Sequence, residues 1–160
     1  MIELYFDGLV EPTNPGGHAA CGCWITGEGY GKKLKMYLGK GIITTESGLQ
    51  VQTTNNIAEY CALILGLAWC NKNLPRDCCL RIFGDSKLVV EQVSGRWRCN
   101  VDYLQEAVKK CRLILGDFTD YELSWIPRER NAVADQISRE VYHGVTGSWP
   151  QERHKKWKQG

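Results

Sequence analysis

The sequence predicts an α/β fold, a mixed five-stranded sheet flanked by helices, in one domain. Three observations lead to it. Residues 2–42 read as three successive strands broken by turn signals, the pattern of an antiparallel meander. From Asn56 the apolar spacing changes to the period of a helix. Beyond Pro75 short apolar strands alternate with helical segments, an order that places strands of a mixed sheet under covering helices.

Residues 2–7, Ile2-Glu3-Leu4-Tyr5-Phe6-Asp7, alternate apolar and mixed positions and read as the first strand. Pro12, Asn14, Pro15, Gly16 and Gly17 mark residues 8–17 as a loop. Residues 19–26 read as the second strand, and Gly27, Gly29 and Gly31 mark the turn into a third at 33–42. A helix over 56–74 carries Ile57, Tyr60, Cys61, Ile64, Leu65, Ala68 and Trp69 on one stripe. Asn55 or Asn56 can cap it, Asn56-x-x-Glu59 has capping-box spacing, and Pro75 ends it. Residues 79–84 form a fourth strand, 86–93 a short helix stopped near Gly95, and 101–115 a longer helix with Leu104, Val108, Cys111 and Leu115 in register. Residues 121–126 are the last strand and 131–142 the last helix. A folded body at 1–143 and a basic, Trp-containing tail at 144–160 are the expected divisions.

Composition narrows the class. The chain is 43% hydrophobic and 24% charged, as ordinary globular proteins are, and its 160 residues suit one core. No apolar run approaches the roughly 20 residues that cross a bilayer, which argues against a membrane protein. Met1-Ile2-Glu3-Leu4 has no basic region leading into an apolar stretch, so the expected location is cytoplasmic. Net charge is +2. Arg153, Lys155, Lys156 and Lys158 against Glu152 leave the other 150 residues at −1, so nucleic-acid binding by the body would rest on local placement of groups. Trp149 and Trp157 sit among those basic residues; the tail reads either as an undocked terminus or as a nonspecific nucleic-acid contact.

Eight cysteines stand at 21, 23, 61, 70, 78, 79, 99 and 111. None forms Cys-x-x-Cys, and no His lies at zinc-finger spacing, so they read as reduced, mostly buried small hydrophobes.

Four acids occupy unusual places. Glu59 is the only charged residue between Glu46 and Lys72, inside an apolar helix, where it is either part of a capping box or a ligand for a cation. Asp7 ends the first strand before Gly8, in a segment too long and Pro-rich for a two-residue hairpin. Asp85 ends the fourth strand and could cap the next helix with Ser86. Asp135 lies in the last helix, where an ion pair with Arg139 is the plain alternative. Strand ends of this kind are where open α/β sheets build their sites. Clustered carboxylates repel one another unless cations lie between them, and an all-oxygen set favours Mg²⁺ or Mn²⁺ over zinc.

Five motifs together resemble type 1 ribonuclease H over residues 2–142: Phe6-Asp7-Gly8, Asn14-Pro15-Gly16-Gly17, Thr53-Thr54-Asn55-Asn56-x-x-Glu59, Phe83-Gly84-Asp85-Ser86 and Asn131-x-x-Ala134-Asp135. The resemblance implies strand order 3-2-1-4-5. It implies that Asp7, Glu59, Asp85 and Asp135 are catalytic and bind two Mg²⁺ or Mn²⁺ ions about 4 Å apart. It implies hydrolysis of the RNA strand of an RNA–DNA hybrid, leaving 5′-phosphate and 3′-hydroxyl ends, with shape and 2′-hydroxyls read in place of sequence. Nucleic-acid contacts are expected at Asn14, Gly16, Gly17, Thr54, Asn55 and Asn56.

Two departures matter. The basic, Trp-rich helical protrusion of several members is replaced here by Ser94-Gly95-Arg96-Trp97-Arg98-Cys99-Asn100, which leaves Arg96 and Trp97 as the candidate grip. The loop before the last acid, Ile126-Pro127-Arg128-Glu129-Arg130, has no His; Arg128 and Arg130 are the candidate substitutes. The chain thus resembles the compact branch of the family, in which some members also cut RNA–RNA duplexes, and a monomer is expected. Two other classes compete. Strand-transfer enzymes of the same fold typically place Glu last, whereas Glu59 is second here. A non-catalytic hybrid- or duplex-RNA-binding module would have lost an acid, and all four are present.

Overall fold

The structure, a computed structural model, describes residues 1–151. Its elements are β1 (Ile2–Glu11), β2 (His18–Gly27), β3 (Tyr30–Lys40), β4 (Ile42–Thr44), β5 (Gln50–Gln52), α1 (Asn55–Asn73), β6 (Cys79–Gly84), α2 (Lys87–Val93), α3 (Asp102–Leu115), β7 (Asp120–Trp125), a 3-10 turn (Arg128–Arg130) and α4 (Ala132–Thr146). The main sheet has the order β3-β2-β1-β6-β7, while β4 and β5 pair as a separate hairpin. With that hairpin set aside, this is the expected 3-2-1-4-5 sheet. β1, β2 and β3 are antiparallel, and β6 runs parallel to both β1 and β7. Three-residue strands are too short to show an alternation, which is why β4 and β5 escape sequence analysis.

The first strand does not end at Asp7. Parallel pairing with β6 stops at Phe6↔Gly84, but antiparallel pairing with β2 continues to Glu11↔His18. Residues 6–10 are all buried, so the alternation that marks a half-exposed strand disappears there. β3 ends at Lys40 because Gly41 turns the chain at φ 75°. The α1 cap is Thr54, whose Oγ1 accepts the Ile57 N–H at 3.2 Å; Asn55 and Asn56 already lie inside the helix, so the Asn56-x-x-Glu59 spacing does not fall on the cap. α4 runs past residue 142 to Thr146, and Gly147 ends it in the left-handed conformation at φ 74°. Just beyond, Trp149 stacks on His143 at 4.1 Å.

One face of the sheet meets α1 and α2, with α3 packed against those helices, around Leu4, Phe6, Ile25, Leu63, Leu67, Leu80, Ile82, Val89 and Val90, all fully buried. Each such side chain contributes about 1.5–3 kcal/mol of burial free energy. The other face is crossed by α4, which touches β1, β2 and β3. It approaches over Gly22, where a Cβ would lie 2.6 Å from Ile137 Cγ2. All eight cysteines are free thiols, five of them buried. Among the described residues no helix is long and apolar enough to cross a membrane.

Candidate active site

The sheet edge at Phe6 and Gly84 positions the first two acids. The last parallel pair joins these residues, so Asp7 and Asp85 follow on neighbouring strands. Gly84 is glycine because a Cβ there would enter the Phe6 ring at 2.3 Å. Glu59 comes from the second turn of α1 and is buried with Asp7. One carboxylate oxygen from each of Asp7, Glu59 and Asp85 lies within 4.8 Å of the others. The burial of this charge reaches Cys21, whose thiol is pushed up chiefly by desolvation, with the charges of Cys61, Glu59 and Asp7 adding. Burial therefore favours the protonated thiol.

Asp135 is on the first turn of α4, half-buried, and is not in the three-carboxylate group. Its N–H bonds to Asn131 O at 3.0 Å, and the ion pair with Arg139 does not form among the described residues. Two buried side chains that sequence analysis did not assign to the site join α4 to β1. Asn131 Nδ2 donates to Phe6 O at 2.9 Å, and Ser138 Oγ lies 3.1 Å from Asp7 Oδ2. Asn131, Asp135 and Ser138 are at i, i+4 and i+7, so they share a helical face; that spacing around Asp135 was the available signal.

The expected nucleic-acid residues divide into two places. Asn14 Oδ1 accepts the Asn55 N–H at 3.2 Å, Asn55 Oδ1 accepts the Val10 N–H at 2.9 Å, and Gly16 N–H donates to Thr53 O at 2.9 Å. Thr53, fully buried, donates its hydroxyl to Gly17 O at 2.7 Å. The 12–17 loop is therefore tied to the start of α1, and Asn14, Gly16, Gly17, Thr54, Asn55 and Asn56 form one region. Gly16 has φ 96°, which a residue with a Cβ adopts only under strain. Arg96 and Trp97 lie apart, on a cleft of about 650 Å³ lined also by Arg98, Lys109 and Arg112. Arg96 forms a two-pronged pair with Glu91 at 2.6 and 3.1 Å, which lowers the Glu91 pKa, and Trp97 is 44% exposed. In the 3-10 turn, Arg128 Nε is 4.0 Å from Asp85 Oδ2, while Arg130 is exposed. The tail's Arg153, Lys155, Lys156, Trp157 and Lys158 lie outside the described residues.

Residues 36–141 match the family described as Reverse transcriptase-like. The chain is 32% identical over 140 residues to the Ribonuclease HI of Halobacterium salinarum, which covers 88% of this chain and 63% of that protein. It is 36% identical over 97 residues to the Bifunctional protein Rv2228c of Mycobacterium tuberculosis, covering 61% of this chain and 26% of that protein. The chain thus spans about a quarter of the mycobacterial relative and under two thirds of the halobacterial one. Among solved structures, LC11-RNase H1, isolated from compost and crystallised with an RNA/DNA hybrid, superposes with a TM-score of 0.72 at 31% identity, covering 88% of this chain and 95% of that one.

Proposed function

Because the chain belongs to the Reverse transcriptase-like family, as a type 1 ribonuclease H, we propose that it is an endonuclease that hydrolyses the RNA strand of RNA–DNA hybrids. The observation that carries this reading is the convergence of Asp7, Glu59 and Asp85 within 4.8 Å. Three carboxylates this close, two of them buried, make a hard oxygen donor set, which fits Mg²⁺ or Mn²⁺. Asp7, Glu59 and Asp85 would hold the metal, with Asp135 completing the set from α4. The chemistry supplied by two bound ions is activation of a water for in-line attack and neutralisation of the leaving 3′ oxygen, which yields 5′-phosphate and 3′-hydroxyl ends.

The chain's own groups bind and orient the substrate. The 12–17 loop lets the backbone at Gly16 and Gly17 approach the RNA, Asn14, Asn55 and Asn56 offer amides to the minor groove, and Thr54 offers a hydroxyl to a DNA phosphate. Arg96 and Trp97 contact the duplex from the cleft beside α3. Arg128 and Arg130 take the place of the family's loop His. The catalytic body carries α4 to Thr146, the basic residues of the tail, Arg153, Lys155, Lys156 and Lys158, add a nucleic-acid contact, and the protein acts as a cytoplasmic monomer. RNA duplex is the second substrate to test.

One gel experiment tests this reading. Labelled RNA–DNA hybrid, RNA duplex, DNA duplex and single-stranded RNA are incubated with protein in Mg²⁺, in Mn²⁺ and in excess EDTA. Cleavage of the hybrid's RNA strand that EDTA abolishes is expected. Full cleavage in EDTA, or none of any hybrid in either metal, refutes it.

A further inference from the structure

We propose that Ser138 is a positioning residue for the metal centre, its hydroxyl fixing the Asp7 carboxylate and the register of α4; this rests on the metal-dependent reading above. Ser138 is fully buried, so its hydroxyl cannot be serving water. Its Oγ lies 3.1 Å from Asp7 Oδ2 and 2.8 Å from Asp135 O. Both partners are acceptors, and a hydroxyl has one proton to give. The carboxylate is the stronger acceptor, because a charge-assisted bond outweighs a neutral one. The hydroxyl is thus shared between the Asp7 carboxylate at 3.1 Å and the Asp135 carbonyl at 2.8 Å, and it bridges β1 to the first turn of α4.

The approach that makes this contact is built into β2. Gly22 pairs with Asp7 across the ladder, and a Cβ on Gly22 would lie 2.9 Å from Ser138 N. Any larger residue would push α4 off the sheet and Ser138 away from Asp7. On the same face of α4, Asn131 ties to Phe6 O, the carbonyl next to Asp7. The two tethers flank Asp135 along the helix, so they set how far the fourth acid stands from the other three. A second consequence follows for Asp7. The hydrogen bond occupies a lone pair of Oδ2 and restricts rotation of the carboxylate, which pre-orients the group for a cation. Outer partners of this kind commonly change metal affinity by 10–100-fold when removed.

The test is Mn²⁺ binding to the full chain without substrate, followed by electron paramagnetic resonance, for wild type and Ser138→Ala. Alanine is smaller and a better helix former, so the variant should fold; circular dichroism at the titration temperature checks this. The same titration on Leu115→Ala, a core change far from the acids, controls for general destabilisation. The expected result is Mn²⁺ affinity about tenfold weaker in Ser138→Ala and unchanged in Leu115→Ala. Equal affinity in Ser138→Ala and wild type overturns the proposal while leaving the metal reading intact. A wild type that binds no Mn²⁺ overturns the metal reading, and the proposal with it.

Discussion

Gly8 lies directly against the main chain at Ala58: a Cβ on Gly8 would stand 2.3 Å from the Ala58 carbonyl carbon and 2.5 Å from Glu59 N. This contact between β1 and α1 brings Glu59 beside Asp7, since Asp7 and Gly8 are neighbours and so are Ala58 and Glu59. The two acids are thus held together by a missing side chain.

Gly8→Ala must then move α1 away from β1, because neither main chain can yield alone. A loss of about 1–3 kcal/mol in stability is expected from such overpacking. The larger effect falls on function, where a misplacement near 1 Å costs about 100-fold. Urea unfolding and hybrid cleavage, measured side by side, should show activity falling much further than stability. Activity near wild type would mean that the contact does not set the distance between the acids.

Thr54 carries the α1 cap and is proposed to touch a DNA phosphate. Thr54→Ala should cost about 1 kcal/mol through the lost cap, and Thr54→Ser should recover it. Chemical denaturation of the three proteins checks this. A stability unchanged in Thr54→Ala would remove the cap assigned to its Oγ1.

Alkaline pH should unfold this protein through its thiols. Burial pushes Cys61 up to about 11 and Cys70 and Cys111 up to about 12, from an ordinary 9.0. Raised acids keep their protons in the folded chain after the unfolded chain has lost them. The stability they support is whole below pH 9 and is lost as pH rises toward 11–12. Between about pH 8 and pH 10 the three thiols together should remove roughly 3–4 kcal/mol. Urea midpoints under reductant measure it, and Cys111→Ala should flatten the slope. A stability constant across that range contradicts the account.

Much of this was legible in the sequence, for physical reasons that can be named. The five strands of the main sheet were legible from alternation in the first, turn residues around the second and third, and short apolar runs beyond Pro75; Asp7, Glu59 and Asp85, which the fold brings together, stood out at strand ends or in an apolar helix. Glu59 stood out because nothing else in its helix is charged. What stayed hidden depends on three-dimensional proximity. The extension of β1 to Glu11 was masked because its outer half is buried on both faces. The cap fell to Thr54 because the Asn55 side chain is taken by Val10 N–H across the fold. Gly22 and Ser138 look ordinary in the chain, and Gly8 and Thr53 stand in it only as parts of motifs; each matters for what presses against it from a distant segment.

The acid cluster should also be readable in stability. With three carboxylate oxygens within 4.8 Å, like-charge repulsion opposes folding until a cation enters. Mg²⁺ at about a hundred times its dissociation constant should add about 2.7 kcal/mol to wild type. Asp85→Asn should melt no lower than wild type in EDTA and gain less from Mg²⁺. Equal gains in both proteins would place the ion elsewhere.

The most direct measurement compares wild type and Asp85→Asn on one labelled RNA–DNA hybrid in Mg²⁺, scoring cleavage by gel and binding by mobility shift. Wild type should leave 5′-phosphate and 3′-hydroxyl ends, and the variant should bind the hybrid with little loss yet leave its RNA strand whole. An Asp85→Asn protein that cuts as fast as wild type would contradict this.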